Sequence, residues 1–174
     1  IINKLFGKGD IRKTGSGNIG ATNVTRSAGK LAGYITFILD ASKAVVAILA
    51  AHAILPTASE YFFDILAVTA VVGHIFPIFL QFKGGKGVAT ALAIFALLAW
   101  PAALAAILVW LMTYYSSKIV SLASIAAMVA AIVVAVIFVS KYLSVIFIIA
   151  ALVILKHRSN IDKLLKGEEL GFKK

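Results

Sequence analysis

Three polar stretches of this 174-residue chain carry the residue types that hold anions and move protons. The first runs from Gly15 to Arg26, where Ser16, Asn18, Thr22 and Asn23 supply short hydrogen-bonding side chains between glycines, and Arg26 adds a charge. Successive N–H groups in such a loop can form an anion-binding nest. It reads equally as a solvated loop with Thr22 or Asn23 capping the next helix. The second stretch, Lys83-Gly84-Gly85-Lys86-Gly87-Val88-Ala89, stands where one apolar segment ends and another begins. A glycine turn opening onto a helix N-terminus is suited to a phosphate, because unpaired N–H groups and the positive end of the helix dipole face the anion. It is not a Walker A loop: Leu80 stands at the upstream glycine position and Gly87 where magnesium would need a hydroxyl. In the third stretch His157 and Asn160 are three apart on one helical face, a proton carrier beside an orienting amide. Taken alone, this stretch reads as a basic interfacial helix ended by Gly167.

These groups must be positioned by apolar elements. Hydrophobic residues make up 61% of the chain and mean hydropathy is +1.01, beyond what a soluble domain of this size buries. That excludes disorder as well. Apolar stretches cover roughly 31–55, 62–82, 88–115, 119–139 and 143–155, against about 20 residues for one span. Trp100-Pro101 divides the third. Reading it as a helical hairpin gives an all-α, polytopic integral membrane bundle with six membrane helices. The chain is then a single domain, with a cytoplasmic motif segment at 1–30, membrane helices at 31–155 and a cytoplasmic basic tail at 156–174.

The charge distribution selects that reading. Of 17 Lys and Arg, six lie within the first thirty residues and six from Lys156 onward, with seven acidic residues in all and a net charge of +10. The hairpin places both basic ends and Lys86 on one face, as the positive-inside rule requires. Anionic lipid or a phosphorylated substrate is the expected partner, ahead of nucleic acid. With no cysteine, disulfides, thiolate metal sites and a cysteine nucleophile are excluded. Inside the apolar region, Asp40 and Lys43 are spaced to pair. His52 and His74 lack a second ligand at metal spacing and are expected to be packing residues, while Trp100, Trp110, Tyr114 and Tyr115 suit an interfacial belt. The alanine runs at 102–106 and 126–131 suit close helix packing. Two phosphate-suited loops, a serine and a histidine on one membrane face suggest joining a phosphorylated soluble molecule to a lipid-phase one.

The runs GSGNIGATNVTR, GH-x-x-P-x-F-L-x-FKGGKGVAT and HR-x-NI-x-x-LL-x-G-x-E, in that order between apolar segments, resemble the PlsY family of bacterial acyl-phosphate-dependent glycerol-3-phosphate acyltransferases. The LD-x-x-K around Asp40 and the VSLASI after Lys118 extend the resemblance from about Asp10 to Glu169, with Ala44 where the family has glycine. The resemblance implies acyl transfer from acyl phosphate to the sn-1 hydroxyl of glycerol 3-phosphate, giving lysophosphatidic acid and phosphate. It implies no metal or cofactor, a monomer, and a site on the cytoplasmic side of the bacterial inner membrane. A further membrane span ahead of the first motif is also implied; these residues do not include it. By motif position, Ser16, Lys86, His157 and Asn160 are catalytic. Asn18, Thr22, Asn23, Arg26 and Lys86 bind substrate, and Gly84, Gly85, Lys86, Gly87, Val88 and Ala89 hold a phosphoryl group. Two rivals stand beside it. A transporter of a phosphorylated metabolite would be expected to have repeat halves, none of which is visible. An acyl-CoA or acyl-carrier-dependent acyltransferase would use the H-x-x-x-x-D formed by His157 and Asp162, on a protein less embedded than this one.

Overall fold

The computed structural model describes residues 1–169 and 171; Lys173 and Lys174 of the basic tail lie outside the described residues. Helices α1 (Ile2–Leu5), α2 (Ala21–Ala28), α3 (Lys30–Ile54), α4 (Glu60–Ile75), α5 (Val88–Leu98), α6 (Trp100–Ser117), α7 (Val120–Phe138), α8 (Leu143–Lys156) and α9 (Arg158–Leu165) follow in order, and no strand occurs among the described residues. Every apolar stretch holds a helix; the second, 62–82, leaves α4 at Ile75 and adds only a 3-10 turn at Ile78–Leu80, and the third divides at Ala99, with Pro101 in the first turn of α6 where its missing N–H costs nothing.

The interior is built from small side chains and the exterior from large aliphatic ones. α6 and α7 pack against each other with Ala102, Ala103 and Ala106 of the one and Ala123, Ala127 and Ala131 of the other buried, while Val133, Val136, Ile137 and Phe147 point outward. Water would punish that arrangement. In lipid, where the surroundings are as apolar as leucine, helices associate through close packing, which small residues permit. α5 is the pivot: Thr90, Ala91, Ile94 and Phe95 are fully enclosed, and the helix packs against α3, α4, α6 and α8.

Span lengths are less uniform than the sequence suggests. Lys30–Ile54, Glu60–Leu80 and Val120–Phe138 are long and apolar enough to cross a membrane; a fourth span results if α8 and α9, bent by 57° at His157, count as one. Six span-length helices are therefore not present among the described residues, because α5 has 11 residues and α8 has 14, roughly 16 and 21 Å of helix. The aromatic belt is also revised. Trp110 donates its indole N–H to Ser124 Oγ at 3.2 Å and stacks on Tyr114, so it ties α6 to α7.

Candidate active site

The first polar loop is shaped from within. Asn23, buried at the start of α2, accepts the Ser16 N–H on Oδ1 at 3.0 Å, and its Nδ2 donates to the carbonyls of Thr14 and Asn18, both at 2.9 Å. Its amide is thereby committed to the main chain, and so its place is that of a brace rather than a hand for substrate. Asn18 similarly accepts the Gly20 N–H on its side chain at 2.8 Å, and Gly20, not Thr22 or Asn23, is the N-cap of α2. The bracing leaves Ser16 exposed at the wall of a cavity of about 710 Å³.

The glycine loop folds back over the end of α4. Gly85 N–H donates to His74 O at 3.2 Å and Gly84 N–H to Ile75 O at 3.1 Å, so two carbonyls that a helix end leaves open are satisfied. Only glycine can approach so closely: a Cβ on Gly84 would stand 2.1 Å from His74 O, and one on Gly85 2.1 Å from His74 Nε2. This alters the expected phosphate cradle. The N–H groups of Gly84 and Gly85 are spent on α4, and those open by helix geometry belong to Val88 and Ala89 in the first turn of α5. Gly87, at φ 86°, is the N-cap that turns the chain into α5.

From this loop Lys86 crosses to the third motif. Its ammonium donates to Asn160 Oδ1 at 2.5 Å, Asn160 Nδ2 donates to Glu169 Oε1 at 2.6 Å, and the same oxygen accepts from Ser121 Oγ at 2.7 Å. Because an ammonium can only donate and a carboxylate only accept, the amide orientation of Asn160 is unambiguous. Burial pushes the Lys86 pKa down to about 8, opposed by the Glu169 carboxylate and reinforced by the Arg26 charge. Arg26 feels the same Glu169, and burial lowers its pKa too.

His157 sits at the bend between α8 and α9, 2% exposed, with Nδ1 2.7 Å from Val153 O. Since that carbonyl can only accept, Nδ1 carries the proton and Nε2 is the bare nitrogen. Burial, then the neighbouring Lys86 charge, lower its pKa to about 4.

The cavity is walled by polar Ser16, Gly17, Asn18, Gly84, Lys86, Ser159 and Asn160 and by apolar Ile75, Phe76, Leu152 and Leu155, with the Lys156 ammonium over the Phe76 ring. Arg12, Lys83, Lys156, Arg158 and Lys163 complete its lining. Thr22, Arg26 and His157 do not line it; the Arg26 charge acts on Lys86 and the Lys86 charge on His157. Two participants were not singled out from sequence, Ser121 and Glu169. Both lie within the matched runs, but a serine in an apolar helix and a glutamate in a charged tail carry no signal until a fold joins them.

Comparison with known proteins gives the family. A family model described as glycerol-3-phosphate acyltransferase matches residues 1–167. A glycerol-3-phosphate acyltransferase of Jannaschia sp. (strain CCS1) is 44% identical over 97% of this chain and 82% of its own length. The crystal structure of PlsY, an integral membrane glycerol 3-phosphate acyltransferase, superposes in its glycerol 3-phosphate form with a TM-score of 0.89 at 41% identity, over 99% of this chain and 86% of that one. Its lysophosphatidic acid form gives 0.83 at 38% identity, over 99% and 90%. All-helical, apolar on its outside and carrying the three motifs in order, the chain belongs to the glycerol-3-phosphate acyltransferase family.

Proposed function

We propose that this acyltransferase moves a fatty acyl group from acyl phosphate to the sn-1 hydroxyl of glycerol 3-phosphate, releasing lysophosphatidic acid and inorganic phosphate. The observation that carries the reading is a cavity whose wall combines the cations Lys83, Lys86, Lys156 and Arg158 with apolar Ile75, Phe76, Leu152 and Leu155, and at which Ser16, Lys86 and Asn160 meet. An acyl phosphate needs both kinds of wall. Its chain would lie along Ile75, Phe76, Leu152 and Leu155, and its phosphate near Gly84, Lys86 and the first turn of α5. Ser121 and Asn160 donate to the Glu169 carboxylate and Lys86 and Arg26 bring charge toward it, so the same groups would hold a second anion where that carboxylate gives way to it. Glycerol 3-phosphate suits that locus, with Arg26 gripping its phosphate through the planar fork that Lys lacks.

A mixed anhydride carries its own leaving group, so no covalent enzyme intermediate is required. The sn-1 oxygen attacks the acyl carbon, the new C–O bond forms as the acyl carbon to phosphate-oxygen bond breaks, and the hydroxyl proton leaves on a phosphate oxygen. His157 at about 4 is a weaker base than a phosphate monoester, whose second pKa is about 6. The proton is assigned to the substrate phosphate, while Ser16, Asn160 and the neutral His157 orient the reacting groups and Lys86 balances developing charge.

The same reading makes the chain one integral membrane unit acting as a monomer in the bacterial inner membrane. Its six apolar helices, α3 to α8, carry both basic ends to the cytoplasmic face, with α5 and α6 as a pair. Arg26→Ala is the first test. Losing a charge-assisted hydrogen bond worth about 1.5–3 kcal/mol should raise KM for glycerol 3-phosphate roughly 10- to 100-fold, with KM for acyl phosphate little changed. An unaltered KM for glycerol 3-phosphate removes Arg26 from the site.

A further inference from the structure

Behind the glycine loop lies a cluster that the acyl-transfer chemistry does not use. Asp40 and Lys43, one turn apart on α3, form an ion pair at 2.7 Å. His74, 8% exposed on the last turn of α4, was expected to be a packing residue, yet its Nδ1 takes the Lys43 ammonium and lies 3.5 Å from Asp40 Oδ1. None of the three lines the cavity. An ion pair kept within apolar helices is costly, and helix registry alone would be served by plain packing.

The contacts of the cluster all converge on the loop. The imidazole lies against Gly85, whose absent Cβ would stand 2.1 Å from Nε2 and 2.8 Å from Cε1, and the His74 carbonyl takes the Gly85 N–H. On the far side of the loop, Thr90, fully buried in the first turn of α5, donates its hydroxyl to the Asp40 carbonyl at 2.9 Å. Asp40 thus holds both flanks of residues 85–90, one through its carboxylate and His74, the other through its main chain. Between those flanks stands Lys86.

We propose that Asp40, Lys43 and His74 are positioning residues, a buttress that fixes the glycine loop and so places the Lys86 ammonium against Asn160 and the bound phosphate. The proposal rests on the acyltransferase reading above. A loop released from its buttress keeps its chemical groups but presents them about an ångström away, which costs affinity for the anion that Lys86 serves.

The test is a double-mutant cycle in the full-length enzyme, reading steady-state kinetics with palmitoyl phosphate and glycerol 3-phosphate. His74→Ala should raise KM for palmitoyl phosphate, whose phosphate lies against this loop, between about 10- and 100-fold while kcat stays within about twofold. Gly85→Ala in the native background should raise it at least as much, because the new methyl meets the imidazole. Added to His74→Ala, the same methyl finds the ring gone, so it should add less than about twofold. Multiplicative effects in the double variant overturn the proposal, as does a fall in kcat with unchanged KM. Should His74→Ala fail to give folded protein by thermal unfolding in detergent, Asp40→Asn, nearly the same shape, carries the same KM expectation and its failure is equally decisive. A native enzyme that does not turn over palmitoyl phosphate at all contradicts the acyltransferase reading instead.

Discussion

Lys86 is the residue in which charge, burial and position meet most tightly, and its protonation gives the sharpest pH prediction. Its folded-state pKa of about 8 lies below the ordinary 10.5, so the ammonium is lost as pH rises through about 8. kcat/KM for glycerol 3-phosphate, which reports the free enzyme, should therefore fall about tenfold per pH unit above that value. Lys86→Arg should move that limb upward while lowering the maximum rate, and a profile flat to pH 10 contradicts the assignment. The same shift acts on stability. Between pH 8 and 10.5 the unfolded chain binds more protons than the folded one, so the fold gains stability with rising pH across that window. At this scale the sequence was partly legible. Lys86 stood out by its glycine-rich surroundings, while Ser16 and Asn160 were assigned only by the resemblance of their motifs, and the three meet at one cavity. Asn23 shows the opposite case: its type suggested a donor for substrate, but an amide has few hydrogen bonds to give, and loop closure uses them.

At the scale of elements, runs of apolar residues located the apolar helices, while the joins between helices depended on contacts that composition does not encode. The division of the third stretch was marked by Trp100-Pro101 and falls one residue earlier, at Ala99. The closeness of α2 to α3 was invisible. Gly29 turns the chain between them at φ 90°, and Gly33 lets α2 lie on the first turns of α3, since a Cβ there would stand 1.8 Å from Thr25 Oγ. Arg26 is carried on α2 next to Thr25, so a shift of α2 on α3 would carry Arg26 with it. Gly33→Ala should destabilise the protein by about 1–3 kcal/mol and raise KM for glycerol 3-phosphate as Arg26 shifts. Thr25→Ala in the same chain, by removing the clashing oxygen, should restore most of both. Thermal unfolding in detergent together with kinetics decides the matter, and a Gly33→Ala protein with native values of both would show that the contact does not position Arg26.

For the whole molecule, solvent choice was the most legible property and span geometry the least. An excess of apolar residues declares a lipid-embedded chain whatever its fold. How many helices cross depends on tilt, bends and local thickness, which a helix of 11 residues and a bend of 57° illustrate. Orientation is testable directly, because the native chain has no cysteine and single cysteines can be introduced without background. Lys8→Cys and Lys166→Cys should be labelled by a membrane-impermeant maleimide only in inverted vesicles, and Thr57→Cys only in right-side-out ones. Labelling of Lys8→Cys and Lys166→Cys from opposite sides would separate the motifs that the cavity joins.

The claim on which the rest depends is that this cavity joins two phosphorylated substrates without a carrier thioester or a covalent enzyme intermediate. It is tested most directly by incubating purified enzyme with palmitoyl phosphate, palmitoyl-CoA or palmitoyl-acyl carrier protein, and following phosphate release and lysophosphatidic acid. The account predicts equimolar phosphate and lysophosphatidic acid from palmitoyl phosphate, and only when glycerol 3-phosphate is present. Lysophosphatidic acid formed from the thioesters but not from palmitoyl phosphate would contradict it.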